Sequence, residues 1–218
     1  MQQQTGASGS SLEEKLAELE LFLHDTLDPA HPLYGLKAVP IPDEPVGIYL
    51  LGTSVASAQL AAERKVPYVF ALFINQDETV CQAAFAAYRQ QFRPGKRATP
   101  LAILAVSVIV APTEEEAAQL AADTKVAKIH LKSGKIVTVT SLKKAEEYGQ
   151  QSDEEYTIEV KEANAIVGTK ESVREKLLAI ASKHQVEELI IHTPIKPFQK
   201  RVLSYELLQE AFLELTVK

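Results

Sequence analysis

VGIYLLGTSVASAQLAAERKVP, residues Val46 to Pro67, runs an apolar strand through Gly52-Thr53-Ser54 into an alanine-rich helix. Ile48, Tyr49, Leu50 and Leu51 are an uninterrupted apolar run, which suits a strand covered on both faces. Gly52 lets the backbone turn sharply, and Thr53 or Ser54 can then N-cap the helix. Ser57 falls one turn in, so unpaired N–H groups and two or three hydroxyls would face one point. A phosphate is the ligand such a turn takes. Ser54 as a plain helix cap and Ser57 as a polar surface position fit the same letters, so both readings stand at this point.

Outward from this stretch the strand-helix unit repeats. Val66–Phe73 reads as a second strand, and Glu78–Phe92 as a helix with Val80, Ala84, Ala87 and Tyr88 inward. Leu101–Val110 (LAILAVSVIV) is a third, buried strand, followed by a helix to Ala122 that Thr113 and Glu116 open as a capping box. From Lys125 to Val167 the pattern is weak and polar, an insertion with helices expected near Leu142–Tyr148 and Asp153–Ala165. Gly168 and Thr169 introduce a helix over Glu171–His184; a fourth strand, Glu188–His192, and a closing helix from Gln199 to Leu215 complete the series. Upstream, Ser11-Leu12-Glu13-Glu14 opens an amphipathic helix with Leu12, Leu16, Leu19 and Leu23 at helical spacing. The prolines between Asp28 and Pro45 then keep the chain irregular. Alternating strands and helices call for a parallel sheet with helices outside. A doubly wound open sheet and half of an eight-stranded barrel satisfy that pattern equally.

Composition narrows the classes. In 218 residues, 46% are hydrophobic and 24% charged, enough for a globular core. A net charge of −6 argues against nucleic acid as a partner, and the most basic stretch, Gln90–Arg97, reads as a loop after a helix. One cysteine, Cys81, forbids an intrachain disulfide and fits a reducing cytoplasm. Residues 1–11 read as a flexible leader without the features of a secretion signal, and no run suits a membrane span.

Four blocks carry a resemblance to the bacterial luciferase-like flavin-dependent monooxygenases. Leu12–Asp25 with Lys37-Ala38-Val39-Pro40 resembles that family's helix and connector before its fifth strand. Ile48–Ser54 with Ser57–Glu63 and Val66-Pro67-Tyr68 resembles its flavin-phosphate strand, loop and helix. Val167–Leu177 is similar to a late VGSPE-type helix start, and Glu187–Ile191, Thr193-Pro194 and Ser204–Leu208 to its last strand and closing helix. The blocks occur in order and cover residues 12–215.

The resemblance implies an α/β fold derived from a (β/α)8 TIM barrel, its C-terminal half with four parallel strands and outer helices, the N-terminal half missing. Residues 12–218 would be that partial barrel, with the polar insertion at 125–167. It implies reduced FMN, supplied by a separate reductase, with O2 as co-substrate and a small organic substrate. Gly52, Thr53, Ser54 and Ser57 fall on the phosphate-contacting turn. Lys65 stands where a glycine commonly ends the helix, and Leu72 and Phe73 where relatives often show histidine. The insertion would match the family's mobile segment that closes over the cofactor. A half barrel leaves two open edges, so either a homo-oligomer or a complementary N-terminal half is expected.

Other chemistry is thin. The five histidines show no metal-ligand spacing, so no metal site is expected. His192, at the end of a barrel strand, is the one catalytic candidate, against the alternative of a strand-end histidine pointing outward or hydrogen-bonded to a loop. The functional expectation is an FMN-dependent monooxygenase. The alternative is a non-catalytic flavin-binding or oligomerisation protein of the same descent.

Overall fold

The computed structural model describes residues 11–43, 46–95, 99–122, 124–139, 142–162 and 164–213. Residues 1–10 of the expected leader, and Lys96 and Arg97 of the basic stretch, lie outside them. The chain divides into two units, Met1–Tyr49 and Leu50–Lys218. In the first, α1 spans Leu12–Leu23. Ser11 Oγ accepts the Glu14 N–H at 3.1 Å and the Glu14 carboxylate accepts the Ser11 N–H at 2.7 Å, the reciprocal capping box that the letters announce.

In the second unit, β1 (Leu50–Gly52), α2 (Val55–Glu63), β2 (Tyr68–Ala71), α3 (Glu78–Gln91), β3 (Ala102–Val110) and α4 (Glu114–Ala122) follow the expected alternation. All nine residues of β3 are buried, the mark of a strand covered on both faces. The chain then builds a separate antiparallel sheet in the order β5-β4-β6 from β4 (Lys125–Leu131), β5 (Ile136–Val139) and β6 (Tyr156–Glu162), with α5 (Leu142–Gln150) on one face. It returns to the first sheet with β7 (Ala165–Gly168), α6 (Lys170–His184), β8 (Glu188–His192) and α7 (Phe198–Leu213). The first sheet is parallel, ordered β1-β2-β3, and β3 also pairs with β7 and β8. Leu101 and Ala105 of the β3 run accept from Tyr68 and Leu72, and Ala111 donates to Gly168. Odd-numbered backbone groups serve all three bonds, so β7 prolongs the edge that β2 occupies and β8 takes the other.

Three features depart from the sequence reading. The helix expected over Asp153–Ala165 is absent: β6 and β7 fill that stretch. Tyr156, Ile158 and Val160 alternate with Thr157 and Glu159, a period of two that the polar character of the segment hid. The insertion, weak in pattern by its letters, has a core of its own, where Ala127, Ile129, Leu131 and Ala145 are buried against Val137, Val139, Tyr148, Tyr156 and Ile158. On α3 the buried stripe is Cys81, Ala84, Phe85 and Tyr88: Ala84 and Tyr88 face in as expected, and Cys81 and Phe85 are buried where Val80 and Ala87 were expected. Phe85 and Tyr88 meet Tyr68 and Phe70 of β2 with ring centroids 5.7–6.2 Å apart, and that aromatic contact sets the helix's rotation.

The parallel sheet has five strands where four were expected, because β7 adds to the β3 edge; β1, β2, β3 and β8 with their outer helices are half the complement of a (β/α)8 barrel. Their register sorts the two faces. Tyr68 and Phe70 point to the helices. Leu51, Val69, Ile103 and Glu188 form one row on the opposite face; Ala71, Ala105 and Ile190 form the next; Ser107 pairs with His192 above them.

Candidate functional site

The C-terminal ends of the parallel strands carry two polar assemblies. The first is the turn after β1. Ser54 is the N-cap of α2, its Oγ accepting the Ser57 N–H at 3.2 Å. Ser57 Oγ accepts the Ser54 N–H at 3.2 Å, donates to the Ser54 carbonyl at 2.8 Å, and lies 3.0 Å from the Tyr68 hydroxyl. Tyr68 donates to the same carbonyl at 3.1 Å. Burial pushes the Tyr68 phenol above its usual range, so it remains a neutral donor at physiological pH. Asn75, beyond β2, donates from Nδ2 to the Thr53 carbonyl at 2.9 Å and ties the two strand ends together.

Gly52 makes this packing possible. A Cβ there would stand 2.1 Å from Ser57 Oγ and 2.5 Å from Ser57 Cβ. The turn holds the two hydroxyls side by side, Ser54 Oγ donating to Ser57 Oγ at 3.2 Å, but gives them different surroundings. Ser57 is half-buried, its proton on the Ser54 carbonyl and its lone pairs taken by the Ser54 N–H and hydroxyl, whereas Ser54 is exposed at the helix start. Val55 and Ala56, the first two helical residues, present N–H groups that no carbonyl of the helix can accept. One exposed hydroxyl, two such N–H groups and the positive end of a nine-residue helix fit a phosphate. They offset only part of its charge.

The second assembly is the uppermost layer of the opposite sheet face. His192 Nδ1 lies 3.1 Å from Ser107 Oγ, and the imidazole stacks on Phe73 with centroids 5.5 Å apart and planes 26° from parallel. Ser107 is buried while His192 is exposed. The Nδ1 partner sits on β3, so the alternative of a histidine pointing outward fits its exposure, whereas a bond to a loop is not what holds it. Ser107, Tyr68 and Asn75 were not among the candidates. Ser107 had a legible signal, since it is the one polar residue in the apolar run LAILAVSVIV; Asn75 had none, because its bond joins residues that only the sheet brings together.

One further pair of polar side chains bears on chemistry. Cys81 lies 3.6 Å from His184 Nδ1, both buried between α3 and α6. Burial pushes the Cys81 thiol up to about 12, the opposite of what a nucleophile needs. No group of His, Cys, Asp and Glu among the described residues could hold a metal ion.

The family model for luciferase-like monooxygenases matches residues 24–185. The chain is similar to an N-acetyl-S-alkylcysteine monooxygenase of Bacillus subtilis (strain 168), with 38% identity over 201 residues, 92% of this chain and 60% of that protein. It is similar to a luciferase-like monooxygenase of Escherichia coli (strain K12), with 28% identity over 195 residues, 88% of this chain and 57% of that protein. Among solved structures, apo-MsnO8 superposes with a TM-score of 0.64 at 28% identity over 94% of this chain and 61% of its own. The chain thus spans 57–60% of the length of these curated relatives.

Proposed function

This chain belongs to the luciferase-like monooxygenase family, and we propose that it binds reduced FMN by its phosphate at the turn Gly52-Thr53-Ser54 to Ser57 and serves oxygenation of a small organic substrate. The observation that carries this reading is the Gly52–Ser57 contact, because it holds Ser54 and the first N–H groups of α2 in one fixed cradle. Reduced FMN, delivered by a separate reductase, would supply the electrons with which O2 is divided between substrate and water. The chain's own residues bind and orient. Ser54 and the N–H groups of Val55 and Ala56 take the phosphate; Ser57, Tyr68 and Asn75 hold the turn still. The apolar row of Ala71, Ala105 and Ile190 directly beneath His192 forms a surface from which water is readily excluded.

The remaining charge of the phosphate, and the strands that would close a barrel, come in this reading from a second copy or a complementary N-terminal half. β1 pairs only with β2, and β8 only with β3, among the described strands. Leu51 and Ile190 stand 57% and 47% exposed on these outermost strands, apolar surface that association would cover. A second reading keeps the flavin and drops the reaction. Phe73 favours it, as an apolar ring at a strand end where a polar group would otherwise reach the ligand.

FMN titration by fluorescence quenching tests the site. Saturable binding, weakened about tenfold or more in Ser54→Ala, is expected from losing a charge-assisted hydrogen bond. Riboflavin, which lacks the phosphate, should be indifferent to that substitution. FMN binding that Ser54→Ala leaves unchanged would overturn the assignment. Oxygen consumption with reductase and NADH then separates the two readings.

A further inference from the structure

The Ser107–His192–Phe73 layer does more than close the sheet. Ser107 Oγ is buried, and His192 Nδ1 is its one hydrogen-bond partner among the described residues. A buried hydroxyl proton needs an acceptor, and Nδ1 can accept it only when the imidazole carries its hydrogen on Nε2. The stacked Phe73 ring restricts rotation of the imidazole. His192 itself remains exposed at the C-terminal strand ends, on the face that carries Leu51, Val69 and Ile190.

We propose that Ser107 and Phe73 lock neutral His192 in its Nε2–H form, so that it presents one fixed hydrogen-bond donor to an acceptor atom on a planar ring bound over the strand ends. Ser107 and Phe73 are positioning residues; His192 is the group that touches the ligand. In identifying that ring as the flavin's, the assignment rests on the reading above. The tautomer does not rest on it. A donor fixed before the ligand arrives loses no orientational freedom on binding, which is the use of holding it from behind.

The ring nitrogens of His192, followed by 15N NMR on the full chain at alkaline pH, decide the donor assignment whether or not flavin binds. A protonated Nε2 with an acceptor-type Nδ1 is expected, with a mixed pair in Ser107→Ala. A protonated Nδ1 in the wild type, or a pair unmoved by Ser107→Ala, overturns it. Should Ser107→Ala fail to fold, the wild-type pair alone decides. Riboflavin is the probe for the ligand half, since it bypasses the phosphate turn. Its affinity should fall roughly fivefold to tenfold in His192→Ala, the effect of one hydrogen bond. Riboflavin binding equal in wild type and His192→Ala overturns that half, whereas loss of FMN affinity confined to Ser54→Ala speaks only to the phosphate site.

Discussion

At Gly52 the space for a single methyl group decides whether the turn can form. Gly52→Ala drives a Cβ into Ser57, backed by Tyr68 Cε2 at 3.1 Å, so neither neighbour can swing away freely. A loss of about 1–3 kcal/mol in urea unfolding is expected, together with loss of FMN quenching. Lys65 shows the opposite case. It ends α2 at φ 59°, with its N–H and that of Val66 bonded to Ala62 and Ala61, a left-handed cap made without glycine. Lys65→Gly should therefore raise stability by roughly 0.5 kcal/mol, the strain relieved less the entropy that glycine adds to the unfolded chain. The departure at Lys65 was legible in the letters, and the cap forms all the same because the following bonds compensate. Burial holds the His184 imidazole below its ordinary range and the Cys81 thiol above its own, with Glu78, Lys183 and Arg89 the charges nearest them. His184 with a depressed folded value contributes stability at neutral pH that is lost as pH falls below the free imidazole range. Cys81 with a raised value contributes stability present below about pH 8.5 and lost as pH climbs toward 12. Urea midpoints across pH should fall on both sides, and His184→Gln should flatten the acid limb.

Between elements, the two sheets divide the labour. The parallel sheet was readable because each buried strand is an apolar block followed by a capped helix, with Ser54, Thr113 and Thr169 at the starts. The β5-β4-β6 sheet was not, because a strand with one covered face shows only alternation, and Lys128, His130 and Glu159 diluted it. His130 and Glu159 in fact face each other across β4 and β6 at 3.3 Å. If this sheet is its own cooperative layer, Ile129→Ala should cost about 2–4 kcal/mol locally. Native-state hydrogen exchange would then show faster amides in β4–β6, with those of β3 unchanged; equal acceleration in both sheets would show that they unfold as one.

For the molecule as a whole, the open question is what covers the sheet edges. At 23.9 kDa per chain, sedimentation of the purified protein should give a mass of two copies or more, and Ile190→Lys should shift it toward one by placing a charge in the apolar row. A monomer at micromolar concentration would instead leave the edges to a complementary half. No helix among the described residues is long and apolar enough to cross a membrane. Read alone, the sequence determined four of the five parallel strands, the caps of helices that follow them and the glycine-serine turn, because hydrophobic period, capping and turn chemistry act between residues close in the chain. Tertiary structure alone decided that Ser57 turns under its loop toward Tyr68, that Asn75 reaches Thr53, and that Ser107 backs His192 across 85 residues. Those contacts depend on strand register and on the alternation of faces, which place distant side chains in one row, and no local pattern records which rows will meet.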